Sequence, residues 1–323
     1  TGDSIIGDLG RADGEDVGTF VITRGSVSAG DNYTINFVSA DFTITPKTLT
    51  VTAEAKSKVY DSVDPALTYS TVGLKSGDSL SGALTRELGE NVGAFAIGLG
   101  NVTAGDNYTI NFVPANLTIS AKTLTITAEA KTKVYDSVDP VLTYSTVGLK
   151  SGDAITGALS RVDGEDVGTF AIGLGEVTAG DNYAINFVPA NLMITAKTLT
   201  ITAAAQTKVY DSADPELTYT QSGLKSGDTL SGVLARDPGE NVGTFAIRVG
   251  NLGNTNYSIT FNSANMTITT KTLTITAAAK TKVYDSADPE LTYTQSGLKS
   301  GDTITGVLNR VSGQDVGTFA ITQ

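Results

Sequence analysis

The chain repeats itself. The string Lys-Thr-Leu-Thr begins at Lys47, Lys122, Lys197 and Lys271, a spacing of about 75 residues that fixes the architecture before any local motif is read. Behind each start come K-V-Y-D-S, an Asp-Pro pair, L-T-Y and G-L-K-S-G-D. A G-T-F-A-I segment or a close variant and an Asn-Tyr pair complete each full copy. Lys197–Ala205 is identical to Lys271–Ala279, and Thr207–Thr229 to Thr281–Thr303. The domain organisation is therefore three complete repeats, 47–121, 122–196 and 197–270, flanked by partial repeats at 1–46 and 271–323. Thr1 aligns with Ser76 and Gln323 with Leu99, so both ends fall inside a repeat. The expectation is a segment of a longer array. The alternative is that split repeats of two chains complete each other end to end.

Within one repeat the pattern is that of strands. Leu49, Val51 and Ala53 alternate with Thr48, Thr50 and Thr52, the period of a half-buried strand. Leu67, Tyr69 and Thr71 form another alternating run, and so do Tyr108, Ile110 and Phe112. Asp64-Pro65 and the glycines Gly73, Gly77, Gly82, Gly89 and Gly93 punctuate them as turns. No stretch carries helical spacing over ten residues, β-branched residues are dense, and six to eight short strands per repeat are expected. Only Ser120, Ala121, Lys122 and Thr123 separate Ile119 from Leu124, so neighbouring repeats should be joined with little freedom, as a semi-rigid rod.

The aromatic residues recur with the repeat. Tyr60, Tyr69, Phe95, Tyr108 and Phe112 return as Tyr135, Tyr144, Phe170, Tyr183 and Phe187, and again as Tyr210, Tyr219, Phe245, Tyr257 and Phe261. Alternation with threonine points these rings inward, and Tyr69, Phe95, Tyr108 and Phe112 are expected to be mostly buried. There is no tryptophan to supply a carbohydrate-stacking platform.

Composition excludes several functions. Neither His nor Cys occurs, which removes catalysis by either and removes disulfides. The net charge of −12 is spread over every repeat, with no basic face for nucleic acid. No run of eighteen apolar residues could span a membrane as a helix. Asp61 and Asp64, and Asp163, Glu165 and Asp166, are carboxylates close in sequence, but they sit in glycine-rich turns and read as solvated turn acids. Calcium is the second reading of these acids, weakened by the lack of dense D-x-D-x-D spacing. Lys58 reads as a surface lysine, and Lys47 with Asn111 as an option for an intramolecular isopeptide bond. Asn32 and Asn107 stand in Asn-Tyr-Thr sequons that read more simply as turns entering strands. No catalytic, cofactor-binding or metal-ligating residue is assigned.

The run Lys56–Tyr69, followed by Gly73–Asp78, Gly93–Ile97 and Asn107–Phe112, resembles the MBG-type repeats of large bacterial surface proteins. The resemblance covers essentially the whole chain. It implies extracellular tandem modules of adhesin-like proteins and no enzyme activity. The expected fold is all-β, a tandem array of small β-sandwich or β-grasp-like modules forming an elongated rod. The expected function is a non-catalytic stalk or spacer at the bacterial cell surface. The alternatives are repeats that themselves bind a host or matrix glycan or protein, and chains that assemble into a filament. The expected partners are neighbouring repeats, other copies of the chain, or a surface ligand, with no cofactor.

Overall fold

In the computed structural model, residues 3–323 are described. They form two units, one over residues 3–130, Leu142–Val162 and Ala171–Asn191, the other over Lys131–Val141, Asp163–Phe170 and Leu192–Gln323. Repeat 47–121 lies wholly in the first and repeat 197–270 wholly in the second.

The N-terminal partial repeat is a three-stranded antiparallel sheet of β1 (Gly10–Arg11), β2 (Gly18–Thr23) and β3 (Ala40–Ile44). Repeat 47–121 then has seven strands: β4 (Lys47–Ala53), β5 (Lys56–Val59), β6 (Tyr69–Val72), β7 (Thr85–Arg86), β8 (Gly93–Gly98), β9 (Tyr108–Val113) and β10 (Ala115–Ser120). They form two sheets, ordered β6-β4-β9 and β5-β10-β8-β7. Two residues separate β4 from β5, and Pro114 alone separates β9 from β10. Each pair of strands is thus one extended run that leaves the first sheet and enters the second. Pro114 has no N–H to give a ladder, which suits it to the point where one ladder ends and the other starts. The two long runs lie parallel, β4 on β9 with Lys47 opposite Tyr108, and β5 on β10 with Lys56 opposite Leu117. β6 on β4, β8 on β10 and β7 on β8 are antiparallel.

The alternating pattern of β4 sets the core. Leu49 and Val51 are fully buried and the intervening threonines face outward. Ala53, Tyr69 and Phe112 of the first sheet pack with Ile97 and Leu117 of the second in one cluster, a small sandwich. In repeat 197–270 the same places are held by Leu199, Ile201, Ala203, Ile247 and Met266. That cluster also takes in Tyr135 and Ile194 of the preceding repeat, so the apolar core continues across the boundary.

Among the described residues no helix occurs, and the modules are all-β. The β-grasp alternative, which needs a helix laid on its sheet, does not describe them. Among the described residues no helix is long and apolar enough to cross a membrane. The expectation that Tyr69, Phe95, Tyr108 and Phe112 are mostly buried is met in part. Tyr183 and Tyr257, which stand where Tyr108 does, are buried. The fully buried side chains are aliphatic, while the four rings themselves are partly buried, Tyr69 and Phe112 against the core cluster. Phe95 shows why. Its ring lies against Gly89, whose φ is +150°, and a Cβ there would stand 2.1 Å from the ring. The Arg86 guanidinium covers the ring at 5.6 Å from its centroid. The ring therefore caps the sandwich edge instead of filling its centre.

Candidate functional site: the junction between repeats

β10 ends at Ser120 and the first strand of the next repeat, Lys122–Ala128, begins after Ala121 alone. Side chains hold the two copies together at this joint. Tyr60, just past β5, is 5 % exposed and meets Tyr183 of the following repeat edge-on, with ring centroids 5.5 Å apart. Its hydroxyl donates to Asp153 Oδ2 at 3.0 Å, and Lys150 Nζ stands 4.8 Å from the centre of its ring. Tyr183 donates to the same Asp153 oxygen at 2.5 Å and accepts from the Lys150 backbone N–H at 3.0 Å. The hydrogen bond from Tyr183 lowers the pKa of Asp153, and burial, then the bond to Asp153, raises that of the Tyr183 phenol.

Asp61 supplies the second contact. Its φ is 68°, in the left-handed region, and its Oδ2 lies 2.7 Å from Nζ of Lys122, the first strand residue of the next repeat. Asp136, Asp211 and Asp285 share that conformation, and every other positive φ among the described residues belongs to glycine. A third contact comes from Asn182. Its Oδ1 accepts from the Val92 N–H at 2.8 Å and its Nδ2 donates to Asn91 Oδ1 at 2.9 Å.

The arrangement recurs. Tyr135 meets Tyr257, Asp228 at 2.9 Å and Lys225, while Asp136 pairs with Lys197 at 2.7 Å. Asn256 takes Val167 at 2.9 Å and Asp166 at 2.7 Å. Tyr210 reaches Asp302 and Lys299, and Asp211 pairs with Lys271. At the first boundary Asn107 holds Val17 and Asp16, each at 2.7 Å. The environment, not the residue type, decides the burial of the tyrosine. Tyr60 and Tyr135 are 5 % exposed, but Tyr284 in the last copy is 65 % exposed.

Beside each joint lies an ion cluster inside the repeat. Lys58 Nζ lies 2.6 Å from both Asp64 and Glu90. Arg86 holds Asp64 at 2.7 Å and also pairs with Glu90. Lys208, Asp214, Arg236 and Glu240 repeat the set. The Arg86 and then the Lys58 hydrogen bonds hold Asp64 down to about 2, and Asp64 and Glu90 in turn raise Lys58. Lys58 is therefore no surface lysine, since its side chain is buried under the two carboxylates.

The turn acids are likewise not simply solvated, because Asp61 and Asp64 each face a cation. No group of three or more acidic side chains that could hold a metal occurs among the described residues. Lys47 and Asn111 are both exposed and offset along β4 and β9, which is no setting for an isopeptide bond. Lys58, Asp64 and Glu90 have a composition closer to that chemistry, but Arg86 keeps Asp64 ionised, and a carboxylate is a poor electrophile for an amine. Asn107, read from sequence as a sequon or turn, spends its amide on the neighbouring copy.

Sequence reasoning missed the joint, although its signal was visible. K-V-Y-D-S, G-L-K-S-G-D and Asn-Tyr are the strictest polar strings of the repeat, and they meet at the boundary.

A profile of the family described as MBG domain (YGX type) matches residues 1–43, 49–118, 124–193, 199–267 and 273–323. No curated protein matches the chain. Among solved structures, the crystal structure of Drosophila N-cadherin EC1-4 aligns over 79 % of this chain and 83 % of that one. The identity is 9 % and the TM-score 0.21, a likeness too low to carry an argument.

Proposed function

Because the chain belongs to the family of MBG domains of the YGX type, matched in every repeat, we propose that it is a non-catalytic spacer of an extracellular, bacterial cell-surface protein. Its work is geometric: it sets the distance between whatever lies on either side of it. The observation that carries this reading is that the most strictly repeated polar residues are spent on the next copy. Tyr60, Asp61, Lys122, Lys150, Asp153 and Asn182 are engaged across one boundary, with one residue of linker beside them. A repeat array is stabilised through such neighbour interfaces as much as by each module alone. A side chain already paired in this way is not offered to a ligand.

Small-angle scattering tests the reading. A compact globule of this length has a radius of gyration of about 20 Å. Modules stacked end to end, each advancing about 30–40 Å with its long strands, give roughly 40 Å. The larger value is expected across a range of salt. A value near that of the globule overturns the spacer.

A further inference from the structure

The chain contains five Asp-Pro steps, at Asp64-Pro65, Asp139-Pro140, Asp214-Pro215, Asp237-Pro238 and Asp288-Pro289. In every one a cation grips the aspartate. Asp64 receives Arg86 Nε at 2.7 Å, Arg86 Nη2 at 3.2 Å and Lys58 Nζ at 2.6 Å. Asp214 has Arg236 at 2.6 and 3.1 Å and Lys208 at 2.6 Å, and Asp288 has Arg310 at 2.7 and 3.1 Å and Lys282 at 2.6 Å. Asp139 has Lys133 at 2.6 Å.

The fifth step is independent of the repeat pattern. Asp237-Pro238 occurs in repeat 197–270 alone; the corresponding pairs elsewhere are Ala12-Asp13, Glu87-Leu88, Val162-Asp163 and Val311-Ser312. Arg248 is equally particular to that repeat, standing where the others have Thr23, Gly98, Gly173 and Thr322. The two meet. Arg248 donates to both oxygens of Asp237, at 2.7 and 2.9 Å, across the strand pair Ala235–Arg236 and Gly243–Arg248. Where the chain acquires an extra Asp-Pro bond, it also has an extra arginine on that aspartate.

An Asp-Pro bond is unusually open to hydrolysis in acid. The proline nitrogen is tertiary and comparatively basic, and the aspartate side chain can reach its own main-chain carbonyl. A carboxylate oxygen attacks that carbon, a C–O bond closes a five-membered anhydride, and the C–N bond to proline breaks as the nitrogen leaves with a proton from the medium. One water opens the anhydride, giving a C-terminal aspartic acid and a new N-terminal proline, with no change of oxidation state. We propose that these five bonds are latent self-cleavage sites, and that the cation on each aspartate keeps the chain whole by holding the carboxylate away from its own carbonyl. An oxygen engaged in charge-assisted hydrogen bonds must surrender them before it can attack. This inference does not depend on the spacer reading.

Arg248→Gly tests it, since glycine is what two other repeats carry at that place and the fold tolerates it there. The full chain is held at about pH 3, below the ordinary aspartate range, and below its melting temperature, with circular dichroism as the check on folding. Intact-mass spectrometry counts the fragments that begin at each proline. In Arg248→Gly the fragment beginning at Pro238 should appear at least about tenfold faster than in the wild type, because both charge-assisted hydrogen bonds to Asp237 are lost. Cleavage at Asp64-Pro65 and Asp214-Pro215 in the same molecules should not change, and Arg248→Lys should stay close to the wild type. Cleavage before Pro238 at the wild-type rate in folded Arg248→Gly overturns the proposal. So does a folded wild type that fragments at all five bonds as fast as the urea-unfolded chain.

Discussion

At Asp61 the backbone turns left-handed, a conformation that costs an ordinary side chain about 1–2 kcal/mol and glycine nothing. Domains of the YGX type are named for a glycine after the tyrosine, and this chain has aspartate there. The carboxylate's bond to Lys122 is the compensation visible in the structure. Asp61→Ala keeps the strain and loses the bond, so it should lower stability by about 0.2–1 kcal/mol, the worth of a partly exposed ion pair. Asp61→Gly loses the bond and the strain together and should leave the denaturant midpoint nearly unchanged. If the two variants unfold alike, the strain argument fails. The ion cluster gives a pH dependence. Asp64, Asp214 and Asp288 are held at about 2, against an ordinary 3.8, by Arg86, Arg236 and Arg310 first and by their lysines second. A carboxylate depressed in the folded state stabilises it fully above its unfolded pKa, and this contribution is lost as pH falls through the folded value. Urea midpoints should therefore show no loss from these groups down to about pH 4 and a fall between about pH 4 and pH 2. The fall should shrink when the three are replaced by asparagine.

At the scale of the element, stability should follow the aliphatic interior. Ile97 is fully exposed to no solvent, at 0 %, and touches both sheets' core cluster, so Ile97→Ala should cost about 2–5 kcal/mol. Phe95→Ala should fall short of the roughly 3–5 kcal/mol of a fully buried ring, because its ring caps an edge. A melting series on the two variants checks the order. The strands themselves were legible in the sequence. The alternation of Leu49, Val51 and Ala53 with threonine marked β4 and its buried face, and the glycine clusters marked the turns. What periodicity could not show was pairing. A period of two says that one face is covered, not which strand lies alongside, and the parallel pairing of β4 with β9 joins residues about sixty apart. Nor could it separate a ring that fills a core from one that caps it, since Phe95 and Ile97 share a face and differ only in distance from the sandwich edge. Lys58 was misplaced for a related reason. A lysine between a serine and a valine looks solvated until Asp64 and Glu90 are brought over it by the fold.

At the scale of the whole molecule, the repeat is as much a statement about neighbours as about modules. Tyrosine, aspartate, lysine and asparagine recur because each copy must present to the next what the previous copy presented to it. Removing one joint should be felt on both sides of it. Tyr60→Ala should expose Tyr183 and destabilise the repeats that flank the joint together, as expected for coupling between nearest neighbours. The chain has no cysteine, so spin labels can be placed without background. The most direct test labels Thr109→Cys and Ala184→Cys, exposed outward-facing positions in equivalent strands on either side of one joint, and measures their distance distribution by double electron–electron resonance. A narrow single peak in the wild type that broadens in the joint variant Tyr60→Ala is the predicted result. A wild-type distribution as broad as that of two modules on a flexible tether would contradict the claim that these residues lock one repeat to the next.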